Sequence, residues 1–271
     1  MTAEVPARVI PGMRGPDAER KRDGSRSTLV WDALQDVVAA RVARSGRAVL
    51  DIVDVGGGTG GFAVPFSALG HRVTVVDPSP DALAAAQRRA AEVPVTLTAV
   101  QGEADGLDGL VGADSADLVI CHNVLEYVDS PAAAMAAIAR VLRPGATVSV
   151  LAANVVAAVL HRALAGRYAE ARRLLAAEGS GPQPPQAPPA TETPPTNEMP
   201  RRFTLAGLTA LIEGAGLRAG DAHGIRVFAG LLPAGGADPG TADALRALEE
   251  AAAVYPALRD IAARLHVLGH R

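Results

Sequence analysis

The sequence predicts an α/β fold in which a mostly parallel sheet of seven strands carries helices on both faces. Short apolar runs alternate with helical segments from residue 25 to residue 152, a spacing that is typical of parallel strands joined by helical crossovers. A glycine-rich loop, Gly56 to Gly61, lies directly between one of these strands and the next helix. The chain has 271 residues, 49% of them hydrophobic, which is enough for the core of one such domain.

The first half of the chain supplies five of the predicted strands. Its elements are, in order, a helix over 25–44, strands over 48–55, 71–77, 95–100, 117–121 and 147–152, and helices over 62–69, 81–91 and 131–142. In the first helix, Leu34, Val37 and Val38 fall on one face, as the helical period requires. Ser79 and Asp81 are both available as the N-cap of the helix over 81–91.

The second half is less regular. We expect a helix over 154–177, a helix that Thr204 caps and that runs to Ala215, a helix over 241–254, and strands over 224–232 and 264–270 that complete the sheet. Residues 179–200 include eight prolines and predict either a disordered insertion or a mobile lid. We therefore expect a flexible lead over 1–24 and a single domain over 25–271, in which 154–203 form a small cap of helices and loops.

The composition excludes several classes of protein. The formal net charge of −3 gives no overall electrostatic reason to bind nucleic acid. Cys121 is the single cysteine, which rules out an internal disulfide and a zinc cluster, and we expect no metal. Residues 1–23 lack the apolar stretch of a signal peptide, and no later apolar run is long enough for a membrane span. We expect a cytoplasmic protein, either a monomer or a homodimer.

The glycine loop is the strongest indication of chemistry. Glycines let the backbone approach a ligand closely, and the helix that follows directs its first N–H groups at the same place. The spacing is Gly56-x-Gly58-x-Gly60, with Gly57 between the first two and Asp54 two positions before Gly56. This variant suits a cofactor without a pyrophosphate, whose cationic amino-acid end Asp54 can approach. Dinucleotide dehydrogenases carry a glycine loop at the same place, so they remain an alternative.

Three further elements follow the loop. Asp77, about 20 residues beyond it, can accept hydrogen bonds from both ribose hydroxyls, or can simply cap the next helix. Glu103 and Ala104 follow the third strand, where an acidic residue commonly receives an adenine amino group, although a solvated loop is possible. His122 and Asn123 end the fourth strand and would lie beside a reacting group; alternatively His122 only begins a helix.

Together these four elements resemble class I S-adenosylmethionine-dependent methyltransferases, which have a Rossmann-like fold. The finer pattern resembles the tRNA 5-carboxymethoxyuridine methyltransferase family, which esterifies the carboxylate of a modified wobble uridine. The narrower segments that carry this second resemblance are His161 followed by Ala165-Gly166, and Gly224-Ile-Arg-Val-Phe228.

The resemblance implies S-adenosylmethionine as cofactor and assigns residues to it. Arg26 would contact the carboxylate of the methionine part, and Gly56 and Gly57 would line that part. Asp77 would bind the ribose, and Glu103 and Ala104 would flank the adenine. His122 would close the pocket near the sulfonium. A carboxylate acceptor is already ionised near neutral pH and needs no general base. Catalytic residues therefore stay unassigned, with His122 and His161 as positioning candidates.

The acceptor is the open question. His161, Arg201 and Arg226 are candidates for binding an anionic acceptor, unless the two arginines serve structural ion pairs. The segment Gly-Ser-Gly-Pro-Gln-Pro-Pro at 179–185 carries no positive charge where the family has a lysine-rich stretch, which leaves tRNA or a small molecule as the partner. A small-molecule methyltransferase, a nicotinamide-dependent dehydrogenase and a non-catalytic donor-binding protein are the alternatives.

Overall fold

The computed structural model describes residues 26–179, 200–231 and 239–271, without the side chains of 26–28, 177–179 and 239. The predicted lead over 1–24, and the proline-rich segment apart from its two end residues, lie outside the described residues.

A seven-stranded sheet forms the centre of the molecule, in the order β3-β2-β1-β4-β5-β7-β6. The strands are β1 (Asp51–Val55), β2 (Arg72–Asp77), β3 (Thr98–Gln101), β4 (Ala116–His122), β5 (Leu142–Ala153), β6 (Arg218–Ile225) and β7 (Arg264–His270). The first five are parallel, and β7 is antiparallel to both β5 and β6. The predicted Rossmann-like, mostly parallel sheet of seven strands is therefore confirmed.

Ten α-helices of the described residues connect and cover the strands. They are α1 (Arg26–Ser45), α2 (Ala63–Ala68), α3 (Pro80–Ala91), α4 (Leu107–Val111), α5 (Pro131–Val141), α6 (Val155–Leu164), α7 (Tyr168–Gly179), α8 (Leu205–Gly214), α9 (Ala242–Val254) and α10 (Pro256–Arg259). Short 3₁₀ turns lie at Ala104–Gly106 and Pro239–Thr241.

The sheet is buried on both faces, which explains why its central strands are continuous apolar runs rather than alternating ones. All seven residues of β4 are buried. One face packs against α5 and α8 through Met135, Ile138 and Leu208. The other face packs against α1 and α2, where Leu34 and Phe66 are fully buried. Burial of each large apolar side chain contributes about 1.5–3 kcal/mol.

Side-chain caps fix the starts of the helices that border the carboxyl edge of the sheet. Ser79 accepts a hydrogen bond from the N–H of Ala82 at 3.3 Å, so Ser79, and not Asp81, is the N-cap of α3. Thr204 caps α8 as predicted, through the N–H of Gly207 at 3.0 Å. Asn154 caps α6 at 3.0 Å.

One predicted element is divided and another is wrong. The segment 154–177 is helical as expected, but it forms two helices, α6 and α7, because Gly166 adopts the left-handed φ of 74° and turns the chain. The strand expected over 224–232 is β6, which begins at Arg218 and ends at Ile225. It ends there because Arg226 has a φ of 61°. The next three N–H groups then donate to the carboxylate of Glu249 instead of to a strand.

Candidate active site

The ends of the parallel strands create a crevice where the strand order reverses. β2 and β3 lie on one side of β1, whereas β4 and β5 lie on the other. In sheets of this type, ligands bind outside the carboxyl ends of the strands at this switch point. The loops after β1 and β4, which begin at Gly56 and Asn123, therefore face each other across the expected ligand position.

A cavity of about 400 Å³ occupies this crevice. We call it the donor cavity, after the methyl donor that the sequence leads us to expect there. It is lined by Val55, Gly56, Asp77, Pro78, Gly102, Glu103, Ala104, Asn123, Val124, Tyr127 and Val128. Four residues predicted from the sequence, Gly56, Asp77, Glu103 and Ala104, thus lie around one space. Tyr127, which is 72% exposed, was not predicted, because an aromatic residue after a strand carries no specific signal.

At Gly56 and Gly57 the glycine loop lies too close to neighbouring side chains to accommodate a Cβ. Gly56 has a φ of 62°, and its N–H donates to the carbonyl of Val76 at 2.7 Å. A Cβ on Gly57 would lie 2.7 Å from Cγ of Asp54. Glycine is therefore required here by the close approach, and the exposed backbone can contact a ligand directly.

Asp54 is a buried carboxylate with an unsatisfied oxygen. Its side chain is almost wholly buried, and Oδ2 has no hydrogen-bond partner among the described residues. Burial raises the pKa of Asp54 to about 7, and the nearby charge of Asp77 acts in the same direction. A cationic group beside Oδ2 would satisfy the carboxylate, so the site fits the ammonium end of S-adenosylmethionine.

Asp77 connects the glycine loop to the start of α3. Its Oδ2 accepts from the N–H of Gly58 at 2.9 Å, and its Oδ1 accepts from the N–H of Ser79 at 2.9 Å. Because each ionised carboxylate oxygen can accept a second hydrogen bond, capacity remains for a pair of ribose hydroxyls. Asp77 is not the cap of α3, a position that Ser79 occupies.

His122 lies outside the lining of the donor cavity. Its Nε2 lies 2.8 Å from Oγ of Ser149, and that oxygen lies 2.7 Å from Nε2 of His266. Nδ1 of His266 in turn lies 3.3 Å from Nδ1 of His223. Burial lowers the pKa of His122 to about 3, so the ring is neutral, and its Nδ1 has no hydrogen-bond partner among the described residues. The predicted contact with the sulfonium stays a prediction, and Asn123 is the residue of this pair that lines the cavity.

A second pocket, of about 300 Å³, lies at the same edge of the sheet, and we call it the basic pocket. It is lined by Ala153, Asn154, Ala157, Ala158, His161, Arg162, Arg167, Arg202, Arg226, Gly230, Ala263 and Arg264. Two of the three predicted acceptor residues, His161 and Arg226, are thus brought together although they are far apart in the chain. The third, Arg201, does not line it, because its guanidinium donates to the carbonyls of Val128 and Asp129. Its neighbour Arg202 lines the pocket instead.

The chain around Arg202 is held against the ends of β4 and β5. The N–H of Phe203 donates to the carbonyl of Ala153 at 2.9 Å, and the N–H of Arg201 donates to the carbonyl of Glu126 at 3.1 Å. Arg202, between these two anchored residues, is directed to the side of the pocket. Sequence reasoning missed it because only this long-range pairing distinguishes Arg202 from Arg201.

The loop that carries Arg226 is fixed by a buried carboxylate on α9. Glu249, which is 1% exposed, accepts from the N–H groups of Val227, Phe228 and Ala229 at 2.7, 2.9 and 2.6 Å. Three charge-assisted hydrogen bonds to one carboxylate make this loop rigid. Sequence reasoning missed Glu249 because nothing in an amphipathic helix marks one glutamate as buried.

One hydrogen bond joins the walls of the two pockets. Arg264, which lines the basic pocket, donates from Nη1 to Oδ1 of Asn123, which lines the donor cavity. The same guanidinium lies 3.7 Å from the carboxylate of Glu126. A ligand that fills the donor cavity therefore has the basic pocket as its neighbour.

The described ranges contain no group of three or more histidine, cysteine, aspartate or glutamate side chains placed to hold a metal ion. None of the helices in these ranges combines the length and apolar character that a membrane crossing requires. The side chain of Arg26 is not among the parts of the chain that the structure describes, so its predicted role stays a prediction.

Comparison with known proteins shows what the part of the chain around the donor cavity is similar to. Residues 53–150 match a family model described as a methyltransferase domain. The tRNA 5-carboxymethoxyuridine methyltransferase of Escherichia coli (strain K12) is 30% identical over 149 residues, which are 53% of this chain and 54% of that protein. The ubiquinone biosynthesis O-methyltransferase of Xanthomonas campestris pv. campestris (strain B100) is 36% identical over 140 residues, 51% of this chain and 56% of that protein. The chain spans about half the length of these curated relatives.

Solved structures share the fold over nearly the whole chain. An S-adenosylmethionine-dependent methyltransferase from Mesorhizobium loti has a TM-score of 0.57 and 20% identity, covering 92% of this chain and 99% of its own. Magnesium protoporphyrin IX methyltransferase from Synechocystis PCC 6803, solved with bound SAH, has a TM-score of 0.51 and 14% identity, covering 90% and 84%. The domain match and the shared fold confirm the predicted resemblance to S-adenosylmethionine-dependent methyltransferases.

Proposed function

We propose that this protein transfers a methyl group from S-adenosylmethionine to a carboxylate oxygen of an anionic acceptor, and that 5-carboxymethoxyuridine in tRNA is this acceptor. The observation that carries the proposal is the adjacency of two spaces at one edge of the sheet. The donor cavity has the residues that fit the cofactor, and the basic pocket beside it has the charge that fits an anion.

The donor cavity would bind the cofactor through groups that are otherwise unsatisfied. Asp54 has a free buried oxygen for the ammonium group, and Asp77 has free acceptor capacity for the ribose. Glu103 and Ala104 line the far side, where the adenine would lie. When bound, S-adenosylmethionine supplies a methyl carbon activated by a sulfonium.

The chemical step needs positioning rather than a base. A carboxylate oxygen of the acceptor forms the new bond to the methyl carbon, and the carbon–sulfur bond breaks with its electron pair going to sulfur. No proton is transferred, since the carboxylate is already ionised. The neutral, buried His122 is consistent with this step, because its low pKa makes it a poor general base.

The similarity to a tRNA 5-carboxymethoxyuridine methyltransferase supports the nucleoside acceptor. A tRNA substrate would also place the protein in the cytoplasm. A second candidate is O-methylation of a small phenol, which the 36% identity to a ubiquinone biosynthesis O-methyltransferase supports. The two differ chemically, because a phenol must lose its proton whereas a carboxylate has none to lose.

The test is methyl transfer from labelled S-adenosylmethionine to tRNA that contains 5-carboxymethoxyuridine, followed by mass analysis of the nucleosides. We expect the wobble nucleoside to gain the mass of one methyl group, and tRNA without the modification to remain unlabelled. Transfer to a phenolic acceptor instead would support the second candidate. If the donor binds but none of these acceptors is methylated, the proposed acceptors are wrong.

A further inference from the structure

The basic pocket carries more positive charge than the described protein neutralises. Its lining includes five arginines, Arg162, Arg167, Arg202, Arg226 and Arg264. Glu170 lies 3.3 Å from Arg162 and 3.7 Å from Arg167, and Glu126 lies 3.7 Å from Arg264. Among the described residues, Arg202 and Arg226 form no ion pair with a carboxylate. Arg202 and Arg226 therefore bring to the pocket two positive charges that no carboxylate of the described residues pairs with.

Two polar atoms of the pocket are buried without a partner. Nε of Arg202 and Nε2 of His161 are inaccessible to solvent and have no hydrogen-bond partner in the described part of the chain. Leaving a buried polar group unsatisfied costs about 1–3 kcal/mol, and more if the group is charged. Such atoms in a lined cavity point to a ligand that supplies acceptors.

The backbone of Arg226, one of the five arginines that line the basic pocket, is strained. Arg226 has a φ of 61°, which is unfavourable for a residue with a long side chain. The three hydrogen bonds that the N–H groups of the next residues donate to Glu249 maintain it. Strain that the surrounding structure maintains is characteristic of residues whose position serves a ligand.

We propose that the basic pocket binds a phosphate group of the methyl acceptor, next to the oxygen that receives the methyl group. This inference rests on the proposed function and deepens it, because it makes the acceptor a phosphate-bearing molecule. Arg202 and Arg226 donate hydrogen bonds to the phosphate oxygens, and His161 donates from Nε2 in the tautomer that carries its proton there. The net charge of the pocket favours phosphate over a single carboxylate, which one arginine can already neutralise.

Phosphate binding can be measured apart from methyl transfer. The full chain is titrated with inorganic phosphate by calorimetry, with acetate at equal ionic strength as the monoanionic comparison. We expect saturable binding of phosphate and much weaker binding of acetate. The variants Arg202→Gln and His161→Gln should each weaken phosphate binding, Arg202→Gln by about tenfold or more, because a charged hydrogen bond is lost.

A matched control separates this site from the general surface charge. Arg172 is exposed on α7 and does not line the pocket, so Arg172→Gln should leave phosphate binding unchanged. The proposal is overturned if phosphate does not bind at tens of millimolar concentrations, or if the variants Arg202→Gln and Arg172→Gln bind it equally well. Unchanged circular dichroism and unfolding temperature show that each variant is folded.

Competition identifies the source of the phosphate. Displacement of inorganic phosphate by an anticodon stem-loop, but not by uridine monophosphate, indicates a phosphate of RNA, and the reverse indicates a small phosphorylated acceptor. If phosphate binds but no methyl transfer to tRNA occurs, the pocket stands and the tRNA acceptor fails. If the variant Arg202→Gln methylates tRNA with an unchanged KM, the proposed function stands and the acceptor phosphate is wrongly placed.

Discussion

The two edges of the sheet differ in whether their buried charged and polar groups have partners within the protein. At the amino edge, Asp117 is fully buried and receives Arg41 at 3.0 Å and both Arg47 and Arg143 at 2.8 Å. Asp51 beside it pairs with Arg47, Arg72 and Arg143 at 2.6–2.9 Å. At the carboxyl edge, buried atoms of Asp54, His122, Glu126, His161 and Arg202 have no hydrogen-bond partner among the described residues.

This difference suggests that the amino edge contributes to stability and that the carboxyl edge binds ligands. Both edges have a cavity of about 400 Å³, so the presence of a space does not distinguish them. What distinguishes them is whether the protein itself satisfies its charges. At the amino edge Asp51 and Asp117 are satisfied by arginines of the protein itself, whereas the carboxyl edge has polar groups that a ligand can satisfy. Substitutions at the two edges should therefore change different measured quantities.

The largest effect on stability is expected at the amino edge, for Asp117→Ala. It removes the carboxylate that Arg41, Arg47 and Arg143 share and leaves only Asp51 to pair with Arg47 and Arg143. Loss of one partner of a buried ion pair costs about 3–5 kcal/mol. Urea unfolding of the variant and the wild type measures this difference. As a control, Asp108→Ala breaks the exposed pair with Arg140 and should change the free energy of unfolding little. Equal effects of the two substitutions would remove the contrast between a buried network and the surface.

At the carboxyl edge, Asp77→Ala should weaken donor binding by about 1.5–3 kcal/mol, through lost hydrogen bonds to a charged acceptor. Titration calorimetry with S-adenosylhomocysteine measures this loss. Asp81 is exposed in the first turn of α3, and Asp81→Ala should bind the donor as the wild type does. Donor affinity that Asp77→Ala leaves intact would contradict the ribose assignment.

Glu249→Gln tests whether the basic pocket depends on its supporting loop. The amide puts a donor where the carboxylate accepts three N–H groups, so we expect a loss of about 1–3 kcal/mol in the free energy of unfolding. Phosphate binding should weaken as well, because Arg226 is no longer fixed, while donor binding stays as in the wild type. Loss of donor affinity instead would mean that Glu249 supports the whole edge.

The last prediction concerns pH and Asp54. Burial raises the pKa of its carboxyl from 3.8 to about 7, so the folded state keeps a proton that the unfolded state releases. This group therefore lowers the stability of the wild type as the pH rises from about 4 to 7. Unfolding free energies at several pH values should lack this contribution in the variant Asp54→Asn. Donor affinity of the wild type should rise through the same pH range, as ionised Asp54 meets the ammonium group, and a parallel profile in Asp54→Asn would contradict the assignment.

Local signals in the sequence predicted part of the donor cavity, because a glycine loop, a strand end and a following acid are close in the chain. Four of the ten residues proposed for the cofactor line this cavity, namely Gly56, Asp77, Glu103 and Ala104. Asp77, Glu103 and Ala104 were placed around one space without any long-range information. The basic pocket was predicted only in part. Arg202 enters it through the pairing of Phe203 with Ala153, and such a contact between distant segments has no sequence signal.

The end of β6 was mispredicted for a related reason. The segment from Gly224 to Phe228 is apolar enough for a strand, but its N–H groups bind a glutamate from α9. Tertiary contacts here override the local preference of the chain. The same contacts create the strained position of Arg226, so the prediction failed at a position for which we propose a role in binding.

The most direct test of the central claim is a crystal structure of the full chain with bound S-adenosylhomocysteine. We predict that the ligand occupies the donor cavity, with its ribose hydroxyls within hydrogen-bond distance of Asp77 and its adenine beside Glu103 and Ala104. Its ammonium group should lie near Oδ2 of Asp54. A ligand bound at the amino edge, or one that leaves Asp54 and Asp77 without contact, would contradict the assignment of function to the carboxyl edge.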